Sequence, residues 1–377
     1  MESPLPASQG SSHFALDPIP ASVLADKEAW RRDAAVELGY CMAGCAVIDD
    51  EVLLGGFERG SVVGVSAEDE EMGVQLGLQT LAHSLCDGRV AKGLVVTPKP
   101  RNVMLARLKD AVKAELKSQG VGGDAAKTKL RECLERVMLS CVFDLDGLWE
   151  VLADLNKPGE EEAEEEERQV EEIQDSQDDD DEALSPGDNR QPPKQQTTQP
   201  GIIVVTHFSS LLTGVFTHRE RSAAHSVIEL LGSHLRDLSR NLSSSPLIML
   251  LNSTSSSSGP PTAQPKNAPL DATLRSIFHT PPPGQGSHTT RRIKPNYGIV
   301  FSQLLDLHLL CTRIPRTMQD AEAAVQRLGE EVRTVWAVEV LQDEIGVWKG
   351  TRGARRRREQ LWTAVDVEQA RVKPAFG

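Results

Sequence analysis

Five short apolar runs punctuate the first two thirds of the chain: 61–65, 92–97 (KGLVVT), 137–143 (VMLSCVF), 202–205 (IIVV) and 246–251 (PLIMLL). Each has the length and β-branched content of a buried strand. Between them apolar residues return every three or four positions, which is helical spacing. Helices are expected over about 21–38, 73–85 (Leu76, Leu78, Leu81, Leu85), 102–117, 127–137, 145–155 and 219–242. Strands alternating with helices predict an α/β fold with a mostly parallel central sheet flanked by helices. Further on, 299–314 and 335–341 read as closing strands with a helix over 317–332, and 360–367 as a strand that hairpins back, so the sheet is expected to end antiparallel.

Composition divides this pattern. Residues 1–20 are rich in Pro and Ser and predict a disordered start. A core is expected over 21–156, resuming over 201–252 and over 297–377. Residues 157–200 read as an acidic disordered insertion, either a solvated loop or a mimic of nucleic acid that screens a basic surface. Residues 253–296, rich in Ser, Pro and Gly, read as a long disordered loop. The net charge of −14 is concentrated: residues 160–188 hold sixteen carboxylates against one arginine, which leaves the remaining chain near neutrality. A bulk charge argument against nucleic acid therefore does not apply to the folded part. The six cysteines are scattered, and with no apolar leader they point to a reducing intracellular compartment. Cys41 and Cys45 stand four apart without a second pair at metal-ligand spacing, so no metal site is expected. No apolar run approaches 18 residues, which gives no support for a membrane span.

The stretch that organises the rest is 53–82, LLGGFERGSVVGVSAEDEEMGVQLGLQTLA. Gly55, Gly56 and Gly60 mark a tight turn, a β-branched strand follows, and an acidic loop leads to a helix. This order of parts resembles the RecA family of recombination ATPases, specifically the divergent eukaryotic paralogues of the strand-exchange recombinase. In those proteins GG(F/I)xxGxVxx(V/I) runs directly into the phosphate loop GxxxxGK[ST], and Cys45, Ile48, Asp49 and Leu53 approximate the family's lead-in. A second anchor is 201–216: the apolar run is followed by Ser209, Ser210, Leu211, Leu212 and Phe216, which fit the family's xSxxxLxxxxF continuation. The resemblance implies a RecA-like P-loop NTPase core, with Val62 and Val204 on neighbouring inner strands.

The chemistry of the motif departs from the family. Aligned without gaps, the degenerate phosphate-loop positions are Ser66, Ala67, Met72, Gly73 and Val74: Ala67 and Met72 stand at the motif's two glycines, Gly73 at its lysine and Val74 at its Ser/Thr. No cation reaches the phosphates, no hydroxyl ligates magnesium, and Glu68, Asp69, Glu70 and Glu71 repel a triphosphate. Thr97-Pro98-Lys99-Pro100 offers no carboxylate to activate water, and Thr206 and His207 replace the magnesium-supporting aspartate. His207 reads either as a base or ligand, or as a packed strand-end histidine. Asn252 matches the family's γ-phosphate sensor and Ser253 departs from it.

These readings imply no catalytic residues and no cofactor of the chain's own, with ATP and magnesium possible only at a composite site completed by a partner. The resemblance further implies DNA-binding loops at 213–224 and within 253–296. Candidate phosphate contacts are Arg219, Arg221, Arg291, Arg292 and Lys294, together with Arg355, Arg356, Arg357 and Arg358 of the run 349–358, which also reads as a nuclear import signal or a solvated surface. The expected role is a recombinase-paralogue subunit in homologous recombination and double-strand break repair, located in the nucleus. Its expected partners are single-stranded or branched DNA and other paralogues or the recombinase itself, with no membrane. The alternatives are a DNA-dependent ATPase with a composite site and a scaffold without DNA contact.

Overall fold

The structure, a computed structural model, describes residues 19–156, 199–257, 276–279, 292–326, 332–345, 349–350, 353–354 and 356–376. The segments expected to be disordered at 1–18 and 157–198, and most of 253–291, lie outside the described residues.

The apolar runs fold as anticipated into parallel strands β1 (Val62–Ala67), β2 (Gly93–Thr97), β3 (Val137–Cys141), β4 (Ile202–Val205) and β5 (Leu247–Ser257). The helices between them are α1 (Ala21–Glu37), α2 (Glu70–Cys86), α3 (Arg101–Ser118), α4 (Gly123–Glu135), α5 (Leu145–Asp154), α6 (Phe208–His218) and α7 (Arg221–Asn241). The chain closes through β6 (Arg292–Pro295), a short helix α8 (Gly298–Ser302), β7 (Leu307–Pro315), α9 (Met318–Gln326), β8 (Thr334–Asp343), a small two-stranded ladder β9 (Lys349–Gly350) and β10 (Gly353–Ala354), then β11 (Trp362–Glu368) and β12 (Arg371–Pro374).

The main sheet runs β12-β11-β8-β7-β1-β5-β4-β2-β3, with β6 pairing the outer end of β5. From β7 to β3 the pairs are parallel, and β8, β11 and β12 join antiparallel. This is the expected mostly parallel α/β sheet with antiparallel carboxyl-terminal strands. The expected adjacency of Val62 and Val204 is corrected: β5 lies between their strands, Val62 pairing with Ile248 and Val204 with Met249. β5 is an inner strand, flanked by β1 and β4.

Successive strand residues alternate between two cores. Val63, Val65, Val95, Val204 and Met249 face α2, α3 and the 41–57 segment, while Val62, Val96, Val205, Ile248 and Leu250 face α5, α6, α7 and α8. Gly64 is required on the second face, because a Cβ there would press into Leu305 and come within 2.9 Å of the Phe301 ring. α2 crosses one face from β1 to β2, whereas α6 and α7 cross the other from β4 to β5. The carboxyl ends of β1, β5 and β4 therefore lie where the connections change faces, the place at which open α/β sheets bind ligands.

Two elements differ from expectation. Residues 299–306 are not the start of a strand: α8 forms there, and Asp306 turns back to accept the Val62 amide at 2.8 Å. β5 continues through Ser257 and pairs with β6, so the ends of the 253–296 segment are ordered against the sheet.

Candidate functional site

The glycine-rich lead-in builds a collar below β1. Asp49 is buried, and its carboxylate accepts the amides of Ala43 at 2.6 Å, Gly44 at 3.1 Å and Cys45 at 3.2 Å. Gly56 has φ +108°, and a Cβ there would sit 2.8 Å from the Met42 sulfur and 3.1 Å from the Cys41 carbonyl. Cys41 and Phe57 exchange backbone hydrogen bonds, and the buried Arg59 guanidinium donates to the Arg89 and Ser244 carbonyls. All of these contacts bind protein to protein.

The phosphate-loop positions themselves contradict the irregular loop expected from the sequence. β1 extends to Ala67 and α2 begins at Glu70, so Glu68 and Asp69 alone connect them. Ser66 and Ala67 lie in the strand, while Met72, Gly73 and Val74 lie in the helix, and all five are buried. A Cβ on Gly73 would sit in van der Waals contact with that of Ala67 at 3.4 Å, so this position packs against the end of β1. The physical reason is helix capping. Asp69 accepts the Glu71 amide at 3.1 Å, and Glu70 and Glu71 place negative charge in the first turn, where the helix dipole favours it.

The acidic connection is also neutralised from within. Glu68 accepts the Arg313 amide at 2.9 Å, the Arg313 guanidinium lies 3.4 Å from Asp69, and Arg107 pairs with Glu71. Arg313 further stacks 4.7 Å above Trp336. Asp69, Glu71, Arg107, Arg313 and Trp336 line a cleft of about 530 Å³ along the outer flank of α2. Its two arginines are thus engaged with carboxylates on the same walls.

Deeper, a line of polar side chains runs from β7 across β1 and β5 to the starts of α6 and α2. Ser66 Oγ lies 2.9 Å from Nε2 of the fully buried His308 on β7. Asn252 in the middle of β5 donates to Ser66 Oγ at 3.2 Å and to the Asn296 carbonyl at 3.1 Å. Asn296 donates to Ser253 Oγ at 2.6 Å, Ser253 donates to Ser209 Oγ at 2.9 Å, and Ser209 donates to a Glu70 oxygen at 3.4 Å. From Asn252 through Asn296, Ser253 and Ser209 the donors run toward Glu70, which ends the line at the start of α2 and beside the start of α6.

His207 stands across from Glu70. It precedes α6 with φ +55°, is 3 % exposed, and its Nε2 is 3.7 Å from the second Glu70 oxygen. Burial, with Lys99 adding, pulls its imidazole down to about 4. Burial raises the Glu70 carboxyl, while Lys99 and Ser209 pull it back. His207 is therefore neutral near pH 7, and the contact is a packed polar pair rather than a salt bridge. Of the two sequence readings, the packed histidine is the one this geometry favours. Below it, Thr206 donates to Thr97 Oγ1 at 2.8 Å, which also accepts the Lys99 amide at 3.1 Å. As the sequence indicates, 97–100 offers no carboxylate, and Thr97 is bonded to Thr206 there.

This donor set does not fit a magnesium triphosphate. The helix that would receive the phosphates is capped by its own aspartate, the residues at the lysine and hydroxyl positions are buried, and a glutamate occupies the ligand-facing end of the sheet. Sequence reasoning missed the constructive role of Glu70, Ser253 and Asn296. The available signal was the helix-start pattern at 69–71, with Asp followed by two glutamates.

The DNA-binding candidates fall on three parts of the fold. Arg219 and Arg221 flank the α6–α7 junction; Arg219 pairs with Asp146 at 2.9 Å, and Arg221 is exposed at the first turn of α7. Arg292 and Lys294 lie on β6, Lys294 opposite Ser255 and half-buried. Arg291 and Arg355 lie outside the described residues. Arg356 and Arg357 are exposed, and Arg357 pairs with Glu359. Arg358 is corrected: it is 2 % exposed, its guanidinium lies 3.3 Å from Asp343 and 3.4 Å from Glu58, and it donates to the Leu53 carbonyl at 3.3 Å. A guanidinium enclosed by two carboxylates is not presented to a phosphate.

No family model and no curated protein matches the sequence. Among solved structures, the chain is similar to the RadB recombinase, at 12% identity and TM-score 0.47, covering 89% of this chain and 100% of that one. It is also similar to a KaiC-like protein of the hyperthermophilic archaeon Pyrococcus horikoshii, at 10% identity and TM-score 0.42, covering 89% of this chain and 97% of that one. The fold assignment rests on the strand order and register above. No helix among the described residues is long and apolar enough to cross a membrane.

Proposed function

We propose that this chain is a RecA-like recombinase paralogue that acts in the nucleus by binding rather than by turnover. In this reading it joins other paralogues or the recombinase itself and supports the filament on single-stranded or branched DNA during homologous recombination and double-strand break repair. The recombination role rests on the sequence resemblance in the lead-in and in 201–216. The non-hydrolytic role rests on one observation: the connection between β1 and α2 is two residues long, capped by Asp69 and filled by protein carboxylates. Lysine, hydroxyl, aspartate and base are all replaced, and removing one electrostatic contribution of this kind already costs about 3–4 kcal/mol of barrier.

In this reading Arg219, Arg221 and Lys294, with Arg291, Arg292 and Arg355 to Arg357, carry the phosphate contacts, and Arg358 is reserved for the core. Calorimetric titration of the purified full chain with magnesium ATP tests the nucleotide half, with and without the recombinase. No binding by the chain alone is expected, and DNA-stimulated hydrolysis by the chain alone overturns the reading. Retention of single-stranded DNA on filters tests the other half. Affinity is expected to fall as salt rises and to weaken in Arg219→Ala and Arg221→Ala, whereas salt-independent or absent retention leaves the scaffold alternative.

A further inference from the structure

Among the six cysteines, Cys41, Cys45 and Cys311 are buried and Cys141 is exposed, and the remaining two meet. Cys86 is the last residue of α2, Cys133 lies in the final turns of α4, and their sulfurs are 3.8 Å apart. A disulfide requires about 2.05 Å between sulfurs, so closure asks for a movement of about 1.8 Å, a distance within reach of side-chain rotation at two helix ends. Cys86 is half-buried and Cys133 is 4 % exposed, which admits a small oxidant more readily than a bulky one.

We propose that Cys86 and Cys133 form a reversible disulfide on exposure to a peroxide, a covalent staple between α2 and α4. The contact between the two thiols, with Arg136 adding, lowers the Cys133 thiol from its ordinary value and raises that of Cys86. Cys133 is accordingly the first nucleophile. Its thiolate attacks one peroxide oxygen, the O–O bond breaks, and after proton uptake one water leaves with Cys133 as the sulfenic acid. The Cys86 sulfur then attacks the Cys133 sulfur, the S–O bond breaks, and the departing hydroxide takes the Cys86 proton to leave as a second water. The two thiols lose two electrons in total, and the peroxide gains them.

The staple spans 47 positions of sequence and encloses β2 and α3. It fastens the far end of the helix whose first residue is Glu70. A cross-link of that length removes freedom chiefly from the unfolded chain, so the oxidised protein is expected to melt at a higher temperature than the reduced one. This inference does not depend on the function proposed above.

The test uses the full chain carrying Cys141→Ser, which removes the exposed thiol. Treatment with hydrogen peroxide followed by alkylation is expected to give an intact mass about 2 Da lower than the reduced, unalkylated pair requires, restored by dithiothreitol. Non-reducing digestion is expected to join the Cys86 and Cys133 peptides. Cys86→Ser and Cys133→Ser, each made in that background, are expected to abolish the linked peptide. A linked peptide between other cysteines, or accumulation of the sulfinic acid at Cys133 with Cys86 still alkylatable, overturns the proposal.

Discussion

Replacing all of Arg355 to Arg358 by alanine is the obvious way to test the basic run for DNA binding, and the structure predicts that this variant misleads. Arg358 is a buried ion-pair partner: its backbone amide donates to Asp343 at 3.1 Å, its guanidinium to the same carboxylate at 3.3 Å and to the Leu53 carbonyl at 3.3 Å. The Asp343 side chain is fully buried. Arg358→Ala removes the guanidinium that neutralises this buried carboxylate and lies beside Glu58. Removing one member of a buried pair costs about 3–5 kcal/mol, whereas an exposed pair such as Arg357 with Glu359 is worth at most about 1 kcal/mol. Total stability is about 5–15 kcal/mol, so the single change removes a large share of it. At about 2–4 °C per kcal/mol for a domain of this size, the melting temperature falls by about 6–20 °C.

The informative set is therefore Arg358→Ala by itself against the combination Arg355→Ala, Arg356→Ala and Arg357→Ala. Urea unfolding and salt-dependent DNA retention should be measured on both. The triple variant is expected to unfold with the native midpoint and to report on DNA alone. Arg358→Ala is expected to unfold early whatever it does to DNA, and Asp343→Asn combined with Arg358→Ala is expected to recover part of the loss, because the buried charge that the guanidinium neutralised is gone. An Arg358→Ala midpoint indistinguishable from the native protein would refute the buried-pair reasoning.

Three further outcomes follow from the same geometry. Gly73→Lys, the residue the family motif wants there, is expected to cost several kcal/mol by urea unfolding without conferring ATP binding by calorimetry, because position 73 is buried against Ala67 and the ammonium finds no partner. Gly64→Ala is expected to cost about 1–3 kcal/mol by overpacking Leu305 and Phe301, measured in the same way. Burial pulls His308 from its ordinary 6.5 down to about 3, so in acid the unfolded chain binds this proton first. The stability it confers is complete above pH 6.5 and is lost as pH falls toward 3, by about 2 kcal/mol at pH 5. Urea midpoints between pH 7 and 5 are expected to fall less steeply in His308→Gln than in the native protein.

Strand positions were legible because parallel strands buried on both faces are continuous apolar runs: 202–205 and 246–251 stand within a residue of the starts of β4 and β5. The start of α2 was misplaced by three residues because Glu68 to Glu71 were weighed as charges facing a phosphate, when Asp69, Glu70 and Glu71 are an ordinary helix beginning. Residues 299–306 read as part of the following strand because they are largely apolar, and Tyr297, at φ +62° immediately before α8, leaves no clear mark in the sequence. The polar line was not legible at all. Ser66 meets His308 across 242 positions and Asn252 across 186, and no spacing rule reaches that far.

The same comparison explains why half of the family motif is present and half is not. Each lead-in residue that matches the family has a task inside the protein: Asp49 ties down three amides, Gly56 admits the 40–42 segment, and Cys45 is packed in the core. None of these contacts needs a ligand, and losing any of them would loosen the entry to β1. In the resembled motif the positions that differ here serve phosphate and metal. Here the side chains at 66–74 serve packing and helix capping, in a short connection capped by Asp69 with Met72 and Val74 buried. The crevice at the end of the sheet is closed by the chain's own Glu70, Ser209, Ser253, Asn296 and Asn252, each bonded to the next along the line.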